Sequence, residues 1–172
     1  MTSSLQALKN KILIQAIGNP SRGDDALGPL LIEQTETWWD LEKSQTPLSL
    51  EFEWAYQLQI EQCEQWSHFD QIIVIDAHCN LAADKTFEWT ELKPLPELSD
   101  IGLISSHQVG PEAILTLNHY HYPQQNPRVF LLGVRGIDFD LKEELSAEAQ
   151  VSLISALAFL KGYVKSLNNN VK

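Results

Sequence analysis

Basic side chains are scarce in this sequence: 12 Lys and Arg stand against 23 Asp and Glu, a formal net charge of −11. The cations are scattered without a basic run, which excludes the clustered Lys and Arg that bind a phosphate backbone. The same balance opposes adhesion to an anionic membrane surface. It suits a cationic partner, or serves solubility alone. Cysteine is scarcer still: Cys63 and Cys79 are too few for a disulfide framework. Residues 1–10 lack the apolar stretch and cleavage site of a secretory signal, and no run approaches the ~20 apolar residues of a membrane span. These absences lead us to expect a soluble, reduced, cytoplasmic protein. Three motifs are missing as well. Without G-x-G-x-x-G, G-x-S-x-G or H-E-x-x-H, the dinucleotide-binding, serine-hydrolase and zinc-helix protease readings lose their usual support.

What is present is a hydrophobic fraction of 44% with 20% charged residues, in a chain of 172. That excludes a disordered polyampholyte and fits one compact domain over 1–172. Apolar runs at Lys11 to Ile17, Gln71 to Asp76 and Arg128 to Val134 predict buried strands. Leu48 to Ala55 alternates apolar and polar residues and predicts a half-buried strand. Thr86 to Leu92 is a weaker strand candidate, and Pro94 and Pro96 make the following stretch irregular. Helices are predicted over Asp25 to Thr37, Leu58 to Trp66, Pro111 to His119 and Ser146 to Leu167. In the last, the apolar repeat runs through Val151, Ile154, Leu157 and Leu160. Strands alternating with helices predict an α/β layer structure with a mostly parallel sheet.

Three residues could carry chemistry, each with an ordinary structural alternative. Asp25 closes the loop Gly18-Asn19-Pro20-Ser21-Arg22-Gly23-Asp24-Asp25 between a strand and a helix. Its two carboxylates suit a cation, or they cap the helix and complement its dipole. Asp76 ends a buried strand, where a carboxylate costs free energy unless it is paired, hydrogen-bonded or metal-bound; a turn Asp bonding the next amides is the alternative. His107 precedes a helix and is a ligand or a structural residue. If the strands are parallel, all three emerge at one edge of the sheet. Two carboxylates and an imidazole there would make a mixed oxygen and nitrogen site suited to a borderline divalent ion. His78 beside Asp76, the C-terminal-turn pair His119 and His121, and the thiol of Cys79 are weaker candidates.

The stretch from Ile17 to Pro29 (IGNPSRGDDALGP) resembles the opening motif of the hydrogenase maturation proteases: a strand, Gly-Asn, a short loop and an acidic pair before a helix. IVIDA (Ile73 to Ala77), SSH (Ser105 to His107) and Pro111-Glu112-Ala113 follow in that family's order, so the resemblance spans most of the chain. It implies a three-layer α/β/α sandwich around a mostly parallel sheet. It also implies an endopeptidase that removes the C-terminal extension of a nickel–iron hydrogenase large-subunit precursor after nickel insertion. The family's metal-contacting residues fall on Asp25, Asp76 and His107. The nickel belongs to the precursor, so no intrinsic cofactor is expected, and the enzyme is expected to act as a monomer.

Many members carry Asp-Gly-Gly-Thr after the second strand, where this chain has Trp54-Ala55-Tyr56-Gln57-Leu58. That departure resembles the subgroup serving bidirectional, NAD(P)-linked hydrogenases. Gln57, Leu58 and Glu61 are thereby candidates for partner recognition, with Gly18, Asn19 and Asp24 shaping the substrate-side loop. A non-catalytic metal-binding accessory protein in hydrogenase assembly and a nucleotide-binding domain remain as alternatives.

Overall fold

The computed structural model describes residues 11–97 and 109–169. Its strands are β1 (Lys11–Ile17), β2 (Ser49–Ala55), β3 (Gln71–His78), β4 (Phe87–Glu91) and β5 (Arg128–Arg135), and its α-helices are α1 (Leu27–Glu42), α2 (Gln62–Trp66), α3 (Pro111–His121) and α4 (Ala147–Asn169). The sheet order is β2-β1-β3-β5-β4. β2, β1, β3 and β5 run parallel, and β4 closes one edge antiparallel to β5.

The two central strands explain themselves by composition. Leu13, Ile14 and Ala16 of β1 and Ile72, Ile73, Val74 and Ile75 of β3 are all 0% exposed, because both faces of the sheet are covered. Alternate residues feed two separate cores, as the period of two requires. Ile14, Ala16, Ile73 and Ile75 pack with Leu31 of α1 and Leu160 of α4. Leu13, Ile72, Val74 and Val129 pack on the other side with Trp66 of α2 and Ile114 of α3. The result is the expected α/β/α sandwich. Gln15, polar in the middle of β1, is buried and accepts a hydrogen bond from Trp66 Nε1 at 2.8 Å, which pins α2 to the sheet.

Some local expectations are corrected. The stretch 58–66 is helical only over the five residues of α2, after a turn. In α4 the expected stripe faces inward only in its second half: Leu160 is fully buried and Leu157 packs on the core, but Val151 and Ile154 are 56% and 70% exposed. The buried face is Ala149, Ser152, Ala156, Leu160 and Val164, whose small members let the helix lie close against the sheet and α1. On the edge strand β2, Leu50 and Phe52 pack on the core while Trp54 stands out, 46% exposed. No helix of the described residues is long and apolar enough to cross a membrane.

Candidate active site

From β1 the chain passes to β2 on one side of it, and from β2 to β3 on the other, so the order reverses between β1 and β3. In open α/β sheets a crevice opens at the carboxyl ends of the strands at such a reversal, and ligands bind there. Asp25 follows β1, and Asp76 lies at the end of β3. The topology therefore brings together the two carboxylates that lie 51 residues apart in sequence.

Local geometry holds Asp25 there. Gly18 leaves β1 with φ +147°, and a Cβ at that position would lie 2.0 Å from the Asp25 carbonyl oxygen, so no other residue fits. The amide of Gly18 donates to the Ala55 carbonyl (3.1 Å), anchoring the loop to the end of β2. The Asn19 amide donates to Asp25 Oδ2 at 3.0 Å. Gly23–Ala26 is a 3-10 turn, and α1 begins only at Leu27. At Gly28 a Cβ would lie 2.4 Å from the Ile17 carbonyl and 3.3 Å from that of Ile75, so α1 sits directly on the ends of β1 and β3. Neither aspartate caps α1: its N-cap, Ala26, has no side-chain cap bond.

Asp76 is partly buried, and its carboxyl is pushed up to about 6. Burial is the main cause and the nearby charge of Asp25 the second; the Ala77 amide and His78 act in the opposite direction. Like charges brought together at a partly dry site are the arrangement that enzymes use to hold a proton or a cation. A cleft of about 300 Å³ opens beside Asp76, lined by Ile17, Gln57, Leu58, Val109, Gly110 and Pro111. The start of α3 thus forms one wall.

Several candidates find different surroundings. Asp24 is fully buried, and its carboxylate accepts from the amides of Ile137 (2.7 Å), Asp138 (2.9 Å) and Ser146 (2.7 Å) and from the Ser146 hydroxyl (2.8 Å). It is turned into the protein and shapes the loop from within, away from the cleft. Leu58 is only 3% exposed and joins the core beneath the cleft, whereas Gln57 is exposed at its rim. Glu61 is exposed and is not among the residues lining the cleft. His107 lies outside the described residues.

His78 is exposed at the end of β3, and Cys79 after it is a free, exposed thiol. His119, on the last turn of α3, pairs through Nδ1 with Asn126 Oδ1 at 3.0 Å, at the opposite end of that helix from the cleft. Burial raises the Cys63 thiol above its ordinary value. Reasoning from the sequence missed the segment 136–146, which Asp24 clasps; the one legible signal was Ser146 at the start of a helix. Among the described residues, no group of three or more His, Cys, Asp and Glu could hold a metal ion. The described part of the site contributes two carboxylate donors.

No protein-family model matches the sequence, and no curated protein matches it significantly. Solved structures do. The chain resembles a [NiFe] hydrogenase maturation protease HycI from Thermococcus kodakarensis KOD1, with TM-score 0.63 and 23% identity over 92% of this chain and 95% of that one. It resembles the hydrogenase maturating endopeptidase HybD from E. coli with TM-score 0.63 and 16% identity, over 91% and 93% of the two chains. A protein of unassigned function from Wolinella succinogenes shares the architecture at TM-score 0.54 and 20% identity, covering 95% and 99%. At these identities the likeness is one of fold.

Proposed function

We propose that this protein is a hydrolase, an endopeptidase that removes the C-terminal extension of a nickel–iron hydrogenase large-subunit precursor after nickel has been inserted. The observation that carries the reading is the pairing of Asp25 and Asp76 at the reversal point of the sheet, beside a cleft large enough for a peptide segment. The fold shared with structures named as maturation proteases supports it. So does the order of the Gly18–Gly28, Ile73–Ala77 and Ser105–His107 motifs.

In this reading the nickel is part of the substrate. Asp25 and Asp76 hold it from the protein side, with His107 as the third ligand, and the precursor's tail lies in the cleft along Gln57, Leu58 and Pro111. Two carboxylates with a third ligand leave positions on the ion open for the precursor's own donors. A metal so held polarises the scissile carbonyl or activates water, and ionised Asp76 is the form that binds it. Gly18 and Asn19 keep Asp25 in register. The protein carries no metal of its own and works as a cytoplasmic monomer. Gln57, Leu58 and Glu61 extend the reading to a partner of the bidirectional, NAD(P)-linked class.

The test is to mix purified protein with nickel-loaded and nickel-free large-subunit precursor and follow the precursor's length by mass spectrometry. Shortening of the loaded form alone is expected. Equal cleavage of both forms would overturn the role of nickel as the mark, and cleavage of neither would overturn the protease reading.

A further inference from the structure

A second concavity, about 400 Å³, lies on the α1 side of the sheet between the Gly18–Asp25 loop, α1 and the edge strand β2. Its floor is apolar, with Pro20, Leu30 and the indole of Trp54. Trp54 is 46% exposed, and Tyr56, 66% exposed, stands edge-on to it at 5.6 Å, so two large aromatic rings face solvent side by side. Glu33, Glu36 and Glu143 rim the groove, and among the described residues no Lys or Arg lines it. All three glutamates are exposed, and none forms an ion pair among the described residues.

Each half of this arrangement costs something in the isolated chain. Glu33 and Glu36 are three apart on one face of α1, a spacing at which like charges repel. A solvent-facing pair of aromatic rings forgoes the burial that makes such rings effective anchors. One kind of occupant relieves both costs. A long cationic side chain can lay its aliphatic stem and charged head over Trp54 and reach the glutamate rim, while apolar neighbours fill the space against Pro20 and Leu30.

We infer that this groove is a docking site for a polypeptide segment carrying apolar side chains interspersed with Arg or Lys. Pro20 is next in sequence to Asn19, whose amide holds Asp25, so a segment seated here lies directly against the acidic loop. Taken with the proposed function, the partner is the precursor, and to that extent the inference rests on that reading.

The probes are a capped Leu-Arg-Leu-Arg-Leu peptide and its Leu-Glu-Leu-Glu-Leu counterpart, titrated while the Trp54 indole N–H is followed by NMR. The Arg peptide is expected to shift that signal and the Glu peptide to leave it in place. Binding should weaken about tenfold in E33K/E36K and in W54A, and hold in D84K/E88K, a matched charge reversal at the opposite edge of the sheet. No shift of the Trp54 signal, equal binding of the Glu peptide, or equal weakening by D84K/E88K would overturn the site. With the precursor as substrate, E33K/E36K should raise KM and leave kcat unchanged; an unchanged KM would overturn the docking role. Peptide binding at Trp54 by a protein that cleaves no precursor would keep the groove and overturn the protease reading.

Discussion

The buried carboxylate of Asp24 receives both the backbone N–H and the hydroxyl of Ser146, at 2.7 and 2.8 Å, across a sequence separation of 122 residues. The same Ser146 hydroxyl oxygen accepts from the Ala149 amide at 3.1 Å, which caps the start of α4. One side chain thus ties the loop that presents Asp25 to the segment after β5 and to the last helix.

Replacing Asp24 by Ala should therefore cost about 3 kcal/mol or more, because three part-buried amides and a hydroxyl lose their acceptor together. Ser146→Ala, which loses one of those bonds and the helix cap, should cost about 1–2 kcal/mol. Denaturant unfolding of both variants checks the ranking. Burial acts to raise the Asp24 carboxyl, but the hydrogen bonds from Ile137, Ser146 and Asp138 together hold it below its ordinary 3.8. Its stabilisation is thus present above that value and lost as pH falls through the lower folded one. In Asp24→Asn, that acid-side loss of stability should disappear.

Asp76 has the opposite sign. A carboxyl raised in the folded state favours folding while protonated. Stability therefore declines as pH rises from the ordinary 3.8, and the loss reaches up to about 3 kcal/mol above the folded value of about 6. Asp76→Asn should accordingly raise the unfolding free energy at pH 8 and change it little at pH 4, while abolishing precursor cleavage. Denaturant melts at the two pH values check the stability, and a gain of equal size at both would contradict the assignment.

The coupling between the two site carboxylates is directly measurable. Carbon-detected NMR of the Asp76 carboxyl should give a midpoint near 6. In Asp25→Asn the midpoint should fall yet stay above 3.8, since burial is the larger cause. Precursor cleavage by that variant should drop about a hundredfold or more, with the far-UV spectrum unchanged.

Gly28→Ala tests the seat of α1. A methyl 2.4 Å from the Ile17 carbonyl must push the helix off the strand ends, at a cost of about 1–3 kcal/mol. Because α1 follows directly on the turn bearing Asp25, the Asp76 midpoint should move as well. An unchanged midpoint in a destabilised but folded variant would show that the close approach serves packing alone.

The strands were legible because burial on both faces demands continuous apolar runs, and KILIQAI and QIIVID have no other use. β4 was the weaker reading because an antiparallel edge strand needs only one packed face. The stripe on α4 was legible at Leu157 and Leu160 but not at Val151 and Ile154, because that helix has apolar residues on more than one face, and only the contact with α1 and the sheet selects Ala149 and Ala156 over those two.

For the site, the residue types and their places after strands came from the sequence, since a carboxylate at the end of a buried strand has few inexpensive fates. What the sequence by itself determined was a set of buried strands, the loops that follow them, and the acidic residues those loops carry. Only the tertiary structure decided that β1 and β3 are neighbours with the chain reversing between them. Only it separated the adjacent pair, turning Asp24 inward as a structural clasp and leaving Asp25 beside Asp76. The physical reason is that strand order and side-chain partnership arise from contacts between residues far apart in the chain. Hydrophobic periodicity, a property of neighbours in sequence, carries no record of them.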